Sequence, residues 1–250
     1  MNVDVAAQQQ LLVLQGHDAS MDRLAQRRRT LPELAEMERM DARLAELRDE
    51  IVRVETDVSD LARQQRKMED DVEVVRNRMT RDQQRMDTGQ VGSPKELENL
   101  QHELGSLARR QGELEDALLE HMESVEEAER RLAGLTGERD TLLPERAAVE
   151  ARRDAAFAEI DAAASAERAA RDALAPTLPE DLVALYEKIR ASSGGVGAAA
   201  LHGGRCEGCH LSFSSVDLAR IAKSDPDEVV RCEECRRILV RPAPTAAPAE

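Results

Sequence analysis

From Met40 the apolar positions step by four, three, four, three: Met40, Leu44, Leu47, Ile51, Val54, Val58, Leu61, Gln65, Met68, Val72, Val75 and Met79. Eleven of these twelve positions are apolar. A strand would alternate with period two, and an ordinary surface helix rarely keeps a strict seven-residue repeat over five heptads, so this stretch predicts coiled coil. The pattern stops at Asp87-Thr88-Gly89-Gln90-Val91-Gly92-Ser93-Pro94. Gly89 can supply the left-handed residue after a helix end. Ser93-Pro94-Lys95-Glu96 then restarts a helix, with Ser93 as N-cap, proline in the first turn and Glu96 reaching back to the cap.

A second seam follows: Leu97, Leu100, Leu104, Leu107, Gln111, Leu114, Leu118, His121, Val125, Ala128, Leu132, Leu135, Arg139 and Leu142. It continues more weakly through Val149, Ala156, Ile160, Ala163, Ala170 and Leu174. Upstream, Leu11, Leu14, Leu24 and Leu31 open the first arm, and Thr30-Leu31-Pro32-Glu33 marks a break within it. The two arms are of similar length about one breaker cluster, which describes an antiparallel coiled-coil hairpin over residues 1–175. Its tip is expected near 88–94, and its kinks near Pro32 and Pro144. The alternative is two separate coils that pair with other chains.

After Leu174 the texture changes. Ala175-Pro176-Thr177-Leu178-Pro179-Glu180 ends the arm and starts a junction helix, Pro179 to Ala191, with Thr177 as cap and Glu180 as its box partner. Residues 176–197 are read as this helix and a glycine-rich loop. Residues 198–241 are read as a separate small domain, and residues 242–250, rich in proline and alanine, as a disordered tail. Within 198–241, strands are expected at Ala198–Leu201, Leu211–Phe213 and Ile238–Arg241. A helix capped by Ser214 or Ser215 is expected between the last two.

That small domain holds the chemistry. Cys206-Glu207-Gly208-Cys209 and Cys232-Glu233-Glu234-Cys235 contain all four cysteines of the chain. Each CxxC places two sulfurs on one tight turn, and two such turns build a closed tetrahedral sulfur cage suited to one structural Zn²⁺. Two disulfides, or an iron site of the same sulfur count, are the alternatives. About 45 residues with Phe213 as their ring bury too little to fold unaided, so the metal is expected to hold the fold.

Composition narrows the function. The chain of 250 residues has one Tyr, two Phe and no Trp, with 34% charged residues and a net charge of −15. Acidity of that order opposes binding to nucleic acid or anionic lipid by charge alone. No apolar stretch approaches the ~20 residues of a membrane span, and the amino-terminal sequence lacks the pattern of a secretory signal. A cytoplasmic location is expected, where paired cysteines bind metal rather than bridge. No GxGxxG, phosphate loop, HExxH or GxSxG is present, so neither an enzyme nor a small-molecule substrate is expected. The segment 198–241 carries seven basic and seven acidic side chains. Arg231, Arg236, Arg237 and Arg241 nevertheless cluster around the second knuckle and are candidates for contact with a phosphate or an acidic partner. Arg27, Arg28 and Arg29 form a second basic cluster on the first arm.

The combination of hairpin, junction helix and the ending Cys232-Glu233-Glu234-Cys235-Arg236-Arg237-Ile238-Leu239 resembles a bacterial family of coiled-coil hairpin proteins with a C-terminal four-cysteine zinc ribbon, closest to its high-GC branch. Leu31-Pro32-Glu33 and Ser93-Pro94-Lys95-Glu96-Leu97 match it as well. The resemblance implies a zinc-binding adaptor. Some family members partner a sigma factor, export components or mRNA. The family often has Gly after the last Cys, where this chain has Arg236, which implies a strained turn or a different dihedral there. The expected function is therefore a non-enzymatic adaptor whose rod presents a zinc-ribbon head to a protein partner. The alternatives are a nucleic-acid-binding or transcription-linked regulator using the arginines, and a structural coiled-coil spacer. Monomer and dimer are equally compatible with the seam.

Overall fold

The structure is a computed structural model, and it describes residues 1–242. The tail expected at 242–250 lies outside the described residues except for Pro242. Five α-helices and four short strands are present among them: α1 (Val5–Arg29), α2 (Pro32–Asp87), α3 (Pro94–Leu174), α4 (Glu180–Ser192), β1 (Ala198–His202), β2 (Arg205–Cys206), α5 (Ser215–Lys223), β3 (Val230–Arg231) and β4 (Ile238–Val240). They form two compact units, one of Ala35–Glu150 and one of Met1–Leu34 with Ala151–Glu250. The boundary expected at residue 175 is therefore not where the units part: α1 and the end of α3 belong with the cysteine-bearing segment.

The unit Ala35–Glu150 is the hairpin. Every seam position from Met40 to Met79 is buried or half-buried, including Gln65. Leu47, Ile51, Val54 and Leu135 form its core, with Val58, Leu132 and Leu142 packed against them. At ~1.5–3 kcal/mol for each fully buried aliphatic side chain, this seam is the main source of its stability. Across the seam Arg43 pairs with Glu138 through two bonds of 2.8 and 2.9 Å, and Arg146 with Asp41 at 2.8 Å. These exposed pairs set orientation more than they stabilise. His121 sits on the seam and its Nε2 lies 2.8 Å from the Leu61 carbonyl oxygen.

The tip follows from its breakers. Gly89 adopts φ +69°, and the Gln90 N–H reaches back to the Arg85 carbonyl to close α2. Ser93 accepts from the Glu96 N–H, as expected of a cap, but the Glu96 carboxylate accepts from Gly92, one residue before the cap. At Thr30-Leu31 the first arm does break, between α1 and α2. Pro144 lies inside α3, which continues through it. A proline there removes one ladder bond and its ring crowds the carbonyl four residues before it; in the next turn Arg146 pairs with Asp41 and Val149 is buried.

The other unit is built around α1. Leu11 and Leu14 are fully buried and share a core with Leu178, Leu182, Tyr186 and Ile189 of the junction, and with Ala198, Ile238 and Val240 of the sheet. Past Ile160 the half-buried positions on α3 run Ala164, Glu167, Arg171 and Leu174, while the expected Ala163 and Ala170 are exposed. This stretch faces α1, which offers His17 and Asp18, and polar partners replace apolar ones: His17 Nδ1 lies 2.6 Å from Glu167, and Arg171 Nε donates to Asp18 at 2.8 Å. Arg28, from the basic cluster, pairs with Asp161 and lies 4.0 Å over the Phe157 ring.

Asp18 is the centre of this polar joint, 1% exposed. It accepts from the Tyr186 hydroxyl at 2.6 Å as well as from Arg171, and Arg190 lies 3.5 Å away. Burial and the Asp18 carboxylate together push the Tyr186 phenol well above its ordinary range. Burial works to lower Arg171 and Arg190, but the carboxylates beside them outweigh it and both guanidinium groups are held more firmly charged. A buried charge is tolerated where it is paired and hydrogen-bonded in this way. The junction helix itself starts at Glu180 with Pro179 as its cap; Thr177 lies in a short 3-10 turn and bonds back to the Leu174 carbonyl instead of capping α4.

Candidate metal centre

The sheet has the order β2-β1-β4-β3, with β1 parallel to β4 and the other neighbours antiparallel. Alternation along the strands gives it two apolar faces. Ala198, Ile238 and Val240 face the α1–α4 core, while Ala199 and Leu239 face a second core with Cys206, Cys232 and Ile221. The expected strand at Leu211–Phe213 is reduced to an isolated bridge from Arg205 to Ser212. Between the knuckles, Ser214 caps α5 in a complete capping box with Asp217. The amino terminus also joins this segment: the Val3 N–H donates to Asp227 at 2.6 Å and the Val229 N–H to Met1 at 3.0 Å.

The two CxxC turns are built alike. In the first, the His210 N–H donates to the Cys206 carbonyl at 2.7 Å and the Cys206 N–H to Leu211 at 3.0 Å. In the second, the Arg236 N–H donates to Cys232 at 2.9 Å and the Cys232 N–H to Arg237 at 2.9 Å. The residue after each closing cysteine, His210 and Arg236, adopts φ +62°. Arg236 thus holds the left-handed backbone that a glycine adopts freely, the strained turn that the missing glycine implied, and His210 repeats it.

These turns bring all four sulfurs within 4.8 Å of one another. The Sγ atoms of Cys206 and Cys235, and those of Cys209 and Cys232, are 3.9 Å apart. A disulfide requires about 2.05 Å. A tetrahedron of thiolates at ~2.3 Å from zinc has edges of roughly 3.8 Å, so the donor set fits one Zn²⁺ as the spacing predicts. Cys206 and Cys232 are buried, and Cys209 and Cys235 half-buried. Burial raises the Cys206 thiol and pushes Cys232 up to about 12, although backbone N–H groups of each turn point at both sulfurs. Burial acts the same way on Cys235, but hydrogen bonds from the Arg237 backbone and side chain and from neighbouring thiols bring it down to about 7.

The four arginines differ in how far they are engaged within the protein. The Arg237 guanidinium donates to the carbonyls of Val196, Gly208 and Ser193 at 2.9, 3.1 and 2.7 Å. Arg241 donates to those of Ile221, Ser224, Asp225, Pro226 and Glu228, closing the end of α5. Both are thus engaged with backbone, because carbonyls left over at loop and helix ends need donors. Arg231 Nε donates to the Arg236 carbonyl, and the Arg236 side chain is exposed. His202 and His210 are exposed and stand outside the sulfur cage.

The sequence reading missed the polar contacts that attach this site to α1. Gln15 accepts from the Gly197 N–H at 2.7 Å and donates to the Gly195 carbonyl at 3.1 Å. Buried Gln8 donates to Val3 and Pro226. The run Gln8-Gln9-Gln10, directly before the apolar Leu11-Leu12-Val13-Leu14, is the signal in the sequence.

This architecture defines a class: a coiled-coil hairpin protein carrying a closed four-cysteine zinc ribbon. Comparison with known proteins places it further. A model of the CT398-like coiled coil hairpin domain matches residues 14–194, and one of the C4-type zinc ribbon domain matches residues 205–239. The chain belongs to this family. It is 39% identical to an uncharacterized protein of Mycobacterium tuberculosis over 96% of this chain and 98% of that one. A solved structure from Mycobacterium smegmatis is 36% identical and superposes with a TM-score of 0.83, covering 96% of this chain and all of that one, 100%. CT398 from Chlamydia trachomatis, 20% identical, shares the fold with a TM-score of 0.68 over 95% of this chain and 98% of its own. Among the described residues, no helix is long and apolar enough to cross a membrane.

Proposed function

We propose that this protein is a non-enzymatic adaptor of the reducing cytoplasm, with the zinc-ribbon unit as the part that recognises a protein partner. The observation that carries the reading is the closed sulfur cage. Four cysteines fill four coordination positions, which leaves no place for a metal-bound water, so the zinc serves architecture. The engagement of Arg237 and Arg241 with backbone carbonyls weighs against nucleic acid as the primary ligand, since phosphate contact would need those donors.

The test is affinity capture from native cytoplasm with the full-length protein, repeated after chelation of zinc, after its restoration, and across a salt series. An adaptor loses its partner with the metal and regains it with zinc. Partner binding that survives complete zinc removal moves recognition to the coil and favours the spacer. A steep loss with added salt, together with released nucleic acid, favours the phosphate-binding reading.

A further inference from the structure

We propose that Arg237 is the positioning residue of the zinc centre and that it makes the order of the α4–β1 loop, Ser193–Gly197, depend on the metal. Arg237 is not a ligand, yet it touches both knuckles. Its backbone N–H points at the Cys235 sulfur, and its carbonyl accepts from the Cys232 N–H at 2.9 Å. Its side chain crosses to the first knuckle, where Nη1 donates to the Gly208 carbonyl. A Cβ on Gly208 would lie 2.8 Å from Arg237 Cδ and 2.9 Å from Ala199 Cβ, so glycine there makes the room the arginine stem occupies. Two further guanidinium nitrogens hold the loop, Nη2 on Ser193 and Nε on Val196.

The same loop is gripped from the other side. Gln15 of α1 holds Gly195 and Gly197, and Gly197 lies against Tyr186, where a Cβ would stand 2.6 Å from ring and carbonyl. The loop is therefore a plate between the zinc cage and the α1–α4 joint, and one guanidinium supplies the cage side of the grip. Lysine cannot replace it. Three carbonyls in different directions match a rigid planar fork and not a single ammonium. Groups that hold the first ligands in place alter metal affinity by roughly 10–100-fold when removed.

The experiment follows zinc transfer from the full-length holoprotein to a chromogenic chelator, with the d–d spectrum of the Co²⁺-substituted protein as a second signature. Arg237→Ala is expected to speed zinc release at least ~10-fold and to broaden the cobalt bands, and Arg237→Lys to recover neither. Arg241→Ala, which removes an equally well-bonded arginine away from the sulfurs, is the control. It is expected to lower thermal stability while leaving release within about threefold. Equal acceleration by Arg237→Ala and Arg241→Ala, or rescue by lysine, would overturn the proposal. Should Arg237→Ala fail to fold, the wild type decides. Amide exchange at 193–197 is expected to rise when zinc is stripped and to fall when it is restored. Exchange there that ignores the metal would also overturn the proposal.

Discussion

Replacing Arg236 or His210 by glycine should strengthen the zinc site. Both residues hold φ +62° immediately after a closing cysteine. An L-residue pays about 1–2 kcal/mol in the left-handed region. Glycine escapes that cost but loses about 0.5–1 kcal/mol through the greater freedom of the unfolded chain. The net gain is about 0.5–1 kcal/mol at each position. The bonds at these positions run through backbone, which glycine retains. The Arg236 N–H donates to Cys232 and its carbonyl accepts from Arg231; the His210 N–H donates to Cys206 and its carbonyl accepts from Arg205. The strain exists only in the folded knuckle, so its relief appears as metal affinity. A factor of ten corresponds to about 1.4 kcal/mol, so each substitution should tighten zinc binding roughly two- to fivefold, and the pair by up to about thirtyfold. Competition against a chelator of known affinity measures this directly. Arg236→Val, β-branched in the same conformation, should weaken binding. Glycine variants that bind no more tightly than wild type, with valine equally harmless, would refute the account of strain.

Tyr186→Phe removes the hydroxyl that donates to buried Asp18 and should destabilise the unit by about 1.5–3 kcal/mol in denaturant unfolding, since a hydrogen bond to a charged group is lost. Zinc affinity should rise with pH from about 6 to about 8: Cys206 and Cys232 are held above the ordinary thiol range, so binding must expel their protons, and calorimetry in buffers of different ionisation enthalpy should show the release of about two or more. Acid should correspondingly release the metal. Cysteines placed at Leu61 and His121, whose backbone carbonyl and ring are 2.8 Å apart, should cross-link within a single chain at high dilution; cross-links found only between chains would contradict the hairpin.

What the sequence determined by itself is local and periodic. The four-three repeat from Met40 to Met79 placed each seam residue, because a heptad reports burial without reference to what lies opposite. The breaker cluster located the tip, since Gly89 and Pro94 act through their own backbone. The paired CxxC motifs named all four ligands, as tetrahedral sulfur geometry leaves few other arrangements. The tertiary structure decided everything that depends on distant partners. Asp18 and Gln15 look like solvent-facing residues in a helix, and only Tyr186, Arg171 and the Gly197 N–H, each over 150 positions away, make their burial affordable. Arg237 and Arg241 read as a basic patch because charge is visible in a sequence. The carbonyls that engage them belong to loop and helix ends, whose unmet acceptors appear only when the chain is folded. Likewise α1 reads as the first stretch of a coil, but Leu11 and Leu14 find their core on the sheet and on α4. Apolar spacing sets which face of a helix is buried, while the partner for that face is chosen by the packing of the whole unit.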